Sequence, residues 1–133
     1  MIGLDTNVLL RYLVQDGGSQ ARAAERVIDT MTKDEPGFVS LVALAEIAWA
    51  LKSVYRLPKD EILPIIDGML GAEEFRLQQP DCVRQAVISA RNSSADFADA
   101  LISSLGVSAG CETTVTFDRA ASQLDGMKLV KTR

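Results

Sequence analysis

The sequence contains no histidine. That absence removes the Ser-His and Cys-His nucleophile systems, histidine acid/base pairs and almost every zinc-hydrolase pattern. Any chemistry must run on carboxylates, hydroxyls, lysine or arginine. Cysteine is scarce too: Cys82 and Cys111 stand far apart with no Cys-x-x-Cys pairing. Neither a disulfide framework nor a zinc site is expected, and both read as small core residues. No run approaches the ~18 uninterrupted apolar residues of a membrane span. Met1-Ile2-Gly3-Leu4-Asp5 carries an acid where a signal peptide carries basic residues, so the expected location is the cytoplasm. Basic residues are outnumbered, 14 Lys and Arg against 18 Asp and Glu, for a net charge of −4. This argues against a coat protein holding nucleic acid on a broad basic surface. It leaves room for an enzyme that gathers acids around a cation and keeps a few arginines at the rim.

What is present suits one soluble domain over residues 1–133, with 47% hydrophobic and 24% charged residues. Short strand-like runs alternate with longer helical ones, which predicts an α/β domain with a largely parallel sheet. Ile2 to Leu4 is a strand ending at Asp5, and Val8 to Val14 a helix with Asn7 as its N-cap. Ser19 caps a helix from Gln20 to about Lys33, and Pro36-Gly37 turns the chain into a strand at Phe38-Val39. Helices are predicted from Ser40 through Tyr55, from Pro58 to Leu70 with Pro64 as a possible kink, from Asp81 as cap to Arg91, and from Ala95 to Val107. Phe75 to Leu77, Thr113 to Phe117 and Met127 to Val130 read as further strands.

Two acids sit where acids are unexpected. Phe38 to Leu51 is apolar except for Ser40 and Glu46, and Asp99 interrupts the core-like run Phe97-Ala98-Asp99-Ala100-Leu101-Ile102. A helix apolar nearly all round is buried, and carboxylates are rarely buried without a partner. Glu46 therefore faces a cation or polar cleft, or else lies on a narrow exposed stripe or pairs with Lys52 or Arg56. Asp96 shares a helix face with Asp99 and also suits an N-terminal cap. Asp5 and Asp118 each follow a short apolar strand, where turn or cap chemistry is the ordinary role but where ligands of open α/β sheets also bind. Four acids converging on one cleft would repel one another without a cation. Oxygen ligands alone suit Mg2+ or Mn2+, and a metal-bound water is a nucleophile for phosphodiester hydrolysis. Arg11, beyond Asp5, and Arg119, beside Asp118, are candidates for contacts to a substrate backbone at the rim.

The residues Met1-Ile2-Gly3-Leu4-Asp5-Thr6-Asn7-Val8-Leu9, Val39-Ser40 leading to Glu46, Asp96-Phe97-Ala98-Asp99-Ala100-Leu101-Ile102 and Thr116-Phe117-Asp118-Arg119 resemble, in this order and spacing, the PIN-domain nucleases. The likeness is closer still to the VapC-type toxins of type II toxin-antitoxin pairs, and it spans nearly the whole chain. It implies a three-layer α/β/α sandwich around a central, mostly parallel sheet. It also implies that Asp5, Glu46, Asp99 and Asp118 form the metal site, that Thr6 and Asn7 shape the turn of the first acid, and that Thr116 supplies a hydroxyl beside the last. Members of this family are cytoplasmic Mg2+-dependent RNases, commonly homodimeric and silenced by a VapB antitoxin.

A phosphoaspartyl enzyme of the haloacid dehalogenase type needs an aspartate two residues after Asp5, where Asn7 stands, and a receiver domain needs a lysine where Arg119 follows Asp118. A non-catalytic module on the same scaffold, or a PIN nuclease of RNA processing, are the remaining alternatives.

Overall fold

The computed structural model describes residues 1–132. The chain runs β1 (Ile2–Gly3), α1 (Thr6–Leu13), α2 (Ser19–Asp29), β2 (Gly37–Val39), α3 (Leu41–Ser53), α4 (Lys59–Gly71), β3 (Phe75–Leu77), α5 (Pro80–Arg91), α6 (Phe97–Ser108), β4 (Thr114–Thr116), a short 3-10 turn (Ala121–Gln123) and β5 (Met127–Leu129). Every strand pair is parallel. β1, β2 and β3 form one hydrogen-bonded set in that order, and β4 and β5 form another. Parallel neighbours need long crossovers, and here helix pairs supply them: α1 and α2 between β1 and β2, α3 and α4 between β2 and β3. The register Ile2 to Gly37 and Gly37 to Phe75 keeps the strand ends level, so the residues that leave β1 and β2 emerge on one edge.

The core is built mainly from helix faces. Leu9, Val39, Leu44, Ile47, Leu51, Ile66, Val83 and Val87 are fully buried, so α1, β2, α3, α4 and α5 all contribute to one core. At about 25 cal/mol per Å2 of apolar surface removed from water, these faces are the main favourable term in folding. Gly37 lets β2 pass close beneath its neighbours, because a Cβ there would stand 2.5 Å from the Met31 sulfur and 2.6 Å from a Leu4 methyl. Pro64 lies inside α4 without ending it.

Several local expectations are corrected. α2 stops at Asp29, with Gly18 and not Ser19 at its N-cap. The Thr30 backbone hydrogen-bonds back to Val27 and Ile28, closing the helix before Lys33. α5 is entered through Gln79 in the left-handed region (φ 49°) with Pro80 following, so Asp81 is not the cap; it pairs instead with Arg84 at 3.0 Å. A proline just inside the first turn loses nothing, since that N–H has no helical partner in any case. Cys82 is buried as expected, whereas Cys111 is exposed in the loop before β4.

Candidate active site

Asp5 leaves the end of β1 and caps α1. Its backbone is extended (φ −86°, ψ 169°), and its Oδ1 accepts the Val8 N–H at 3.0 Å. The predicted cap, Asn7, lies inside α1, because the helix begins one residue earlier at Thr6. The ordinary capping role of Asp5 is therefore real, and it fixes the carboxylate at the strand end. From the first position of α1, the Thr6 hydroxyl donates to Glu46 Oε1 at 2.7 Å.

Glu46 is exposed. α3 buries Ala43, Leu44, Ile47, Ala48, Ala50 and Leu51, but Val42, Glu46 and Trp49 fall at helical spacing on one stripe left in solvent, with Val42 72% and Trp49 63% exposed. The reading of α3 as buried all round is corrected accordingly, and so is a pairing of Glu46 with Lys52 or Arg56. Ser40 caps this helix by accepting the Ala43 N–H at 3.1 Å. An open cleft of ≈ 400 Å3 is lined by Asp5, Thr6, Ser40 and Glu46 among others.

The second group of acids rides on α6 and on the turn after β4. Asp96 occupies the N-cap of α6 but makes no capping bond with its side chain. It reaches instead to Lys52 Nζ of α3 at 2.7 Å. Asp99, in the first turn of α6, is half-buried. Burial pushes its carboxyl above the ordinary aspartate value, and the negative charges of Asp118 and then Asp96 push the same way against the opposing pull of Lys52. Asp118 is held by turn chemistry: its N–H donates to Thr116 Oγ1 at 3.0 Å and its Oδ1 accepts the Ala121 N–H at 3.1 Å. Gly106 and Gly126 let α6 lie against β4 and β5, since a Cβ at either would stand 2.5 Å from a Thr114 or Ser103 hydroxyl.

Helix α3 joins the two groups, carrying Glu46 and, six residues on, Lys52 on exposed positions. The hydrogen bond that Lys52 donates to Asp96 holds its ammonium above its usual range, and the charges of Asp96, Asp99 and Asp118 add to the effect. Among the described residues, no three carboxylate, histidine or cysteine side chains stand close enough together to ligate one ion. Asp5 and Glu46 come together through Thr6, and Asp99 and Asp118 feel each other's charge. The donor set is wholly oxygen and so fits a hard cation. It also fits the habit of Mg2+, which keeps several waters and takes one or two carboxylates together with substrate phosphate rather than a complete protein cage.

The rim residues divide. Arg11 and Asn7 line, with Asp5, a mostly apolar cavity of ≈ 390 Å3 between β1 and α2, and Arg11 is paired with Asp16 at 3.1 Å. Arg119 is exposed next to Asp118. Two neighbours of the acids escaped the sequence reading. Lys52 figured there only as a partner for Glu46, and Trp49 reads as core in so apolar a helix. The signal for both is their spacing of three and six residues from Glu46.

The chain is similar to a VapC ribonuclease of Aquifex aeolicus (strain VF5), 25% identical over 127 residues, which cover 96% of this chain and 93% of that protein. A model of the PIN domain matches residues 2–127, and the chain therefore belongs to the PIN-domain family.

Proposed function

We propose that this protein is a Mg2+-dependent endoribonuclease, with Mn2+ as a substitute, and the toxin of a VapBC-type toxin-antitoxin pair in the cytoplasm. The observation that carries the reading is the Thr6–Glu46 hydrogen bond, which holds the acid of α3 beside Asp5 at the end of β1 in a chain of the PIN family. Asp5, Glu46, Asp99 and Asp118 are the catalytic acids and would hold the cation. A bound divalent cation supplies Lewis-acid neutralisation of the phosphate and acidifies water. The chain's own residues do the rest. Thr6 orients Glu46, the turn around Thr116 orients Asp118, and Lys52 keeps Asp96 turned toward α3. Asn7 and Arg11, which line the neighbouring cavity beside Asp5, and Arg119, exposed next to Asp118, are the proposed contacts to the RNA backbone. A VapB-type antitoxin and a second copy of the chain are the proposed protein partners.

The test is cleavage of total cellular RNA with and without Mg2+, beside Glu46→Gln. Activity in Mg2+ that vanishes in EDTA and in the variant supports the proposal. Full cleavage in excess EDTA overturns it.

A further inference from the structure

We propose that Trp49 is a stacking platform for an unpaired base of the RNA, set one helical turn from Glu46; this rests on the ribonuclease reading above. Trp49 is the only tryptophan of the chain, and the residue is 63% exposed. Tryptophan is highly buried on average, so an indole left in water on a helix whose other faces are core is unusual. It takes no part in the aromatic pair of the described residues, which is Tyr12 on Phe75. Its position is specific. Trp49, Thr6 and Glu46 line one shallow depression of ≈ 450 Å3, so the ring and the candidate catalytic carboxylate wall the same space. On its other side Trp49 borders a second depression with Lys52 and Lys59.

The chemistry of the site calls for such a surface. Asp5, Glu46, Asp99 and Asp118 repel a polyanion, and the net charge of the chain gives no compensating basic field. A contact indifferent to charge adds affinity beside the acids where basic side chains are few. The face of an indole offers one, because every base has a π-face and sequence-tolerant stacking is how single strands are gripped. Lys52, one turn further along the stripe, lines the depression on the far side of Trp49 and is paired with Asp96. A protein surface docked on the same stripe would bury Glu46 between Val42 and Trp49, and desolvating that carboxylate is unfavourable. A stacked base leaves it open.

The experiment uses the full chain, whose single tryptophan makes its emission a report on position 49 alone. A mixed-sequence single-stranded oligoribonucleotide is titrated in EDTA, beside the same strand annealed to its complement, and kcat/KM is then measured in Mg2+ for the parent, Trp49→Phe and Trp49→Ala. Saturable quenching by the single strand and not by the duplex is expected. Trp49→Ala should lower kcat/KM between about 5-fold and about 100-fold, with Trp49→Phe intermediate. Thermal melts confirm that the variants fold, as replacement of an exposed side chain allows. A parent that cleaves RNA while its emission is unmoved and Trp49→Ala is fully active overturns the stacking role and leaves the nuclease standing. A parent that binds without cleaving removes the nuclease reading and this inference with it. Emission that responds to protein concentration and not to RNA assigns the ring to contact between copies and also overturns the proposal.

Discussion

Asp99→Asn separates a functional acid from a structural one. In the folded chain Asp99 is half-buried and faces the charges of Asp118 and Asp96, with Lys52 alone offsetting them. One like-charge interaction is thus left uncompensated. Two charges about 6 Å apart at an effective dielectric near 20 repel by about 3 kcal/mol. Because the carboxylate is partly solvated, the net relief on neutralising it is discounted to about 1 kcal/mol. For a domain of this size that is about 3 to 5 °C in Tm. The sign follows from linkage. The folded-state pKa is raised, so between the unfolded and folded values the folded state binds more protons. The parent therefore loses stability as pH climbs through that window, and the loss is complete above it. Melts in EDTA at pH 7.5 should place Asp99→Asn at or above the parent, with the gap closing as pH falls toward the ordinary aspartate value near 4. Mg2+ should raise the parent's Tm and leave the variant's nearly unchanged, and the variant should not cleave RNA. A variant melting well below the parent in EDTA at pH 7.5, with cleavage intact, would refute the reasoning, because it would mean that the charge serves a stabilising ion pair.

Thr6→Val removes the hydroxyl that orients Glu46 and should lower RNA cleavage by about 10- to 100-fold, with a stability change within about 1 kcal/mol, measured by turnover and by urea melts. Replacing Arg11 and Arg119 together with alanine should weaken RNA binding and flatten its dependence on salt; an unchanged slope would remove both from the rim. Gly37→Ala sets a methyl against buried Met31 and Leu4 and should destabilise by about 1 to 3 kcal/mol, read as a lower urea midpoint at constant slope.

How much of this was legible in the sequence differs from residue to residue. The strand and helix order was, because alternating strand-like and helical runs carry the period of each element, and the strand ends at Asp5 and Asp118 followed from the apolar residues before them. The membership of the PIN family was legible from motifs spread over the chain. Cap positions were not. Asn7 and Asp5 are equally good capping residues on paper, and only the extended backbone at Asp5 chose between them. Glu46 was recognisable as an anomaly, and of the readings open to it the exposed stripe is the one the fold realises. Composition says that α3 is apolar, whereas packing decides which stripe stays in water, and that stripe carries Val42, Glu46 and Trp49.

The sequence by itself determined the chemistry available to this protein: no histidine, no paired cysteines, and carboxylates at strand ends and on apolar helices, which restrict a site to oxygen ligands. Side-chain type sets what an atom can donate, accept or ionise, and that is fixed before folding. The tertiary structure alone decided which acids meet. Thr6 and Glu46 stand 40 residues apart and Lys52 and Asp96 44 apart, and each pair closes only because α3 packs on α1 and α6. Contacts at that range depend on how helix faces interlock around a shared core, and no local pattern of residues encodes that arrangement.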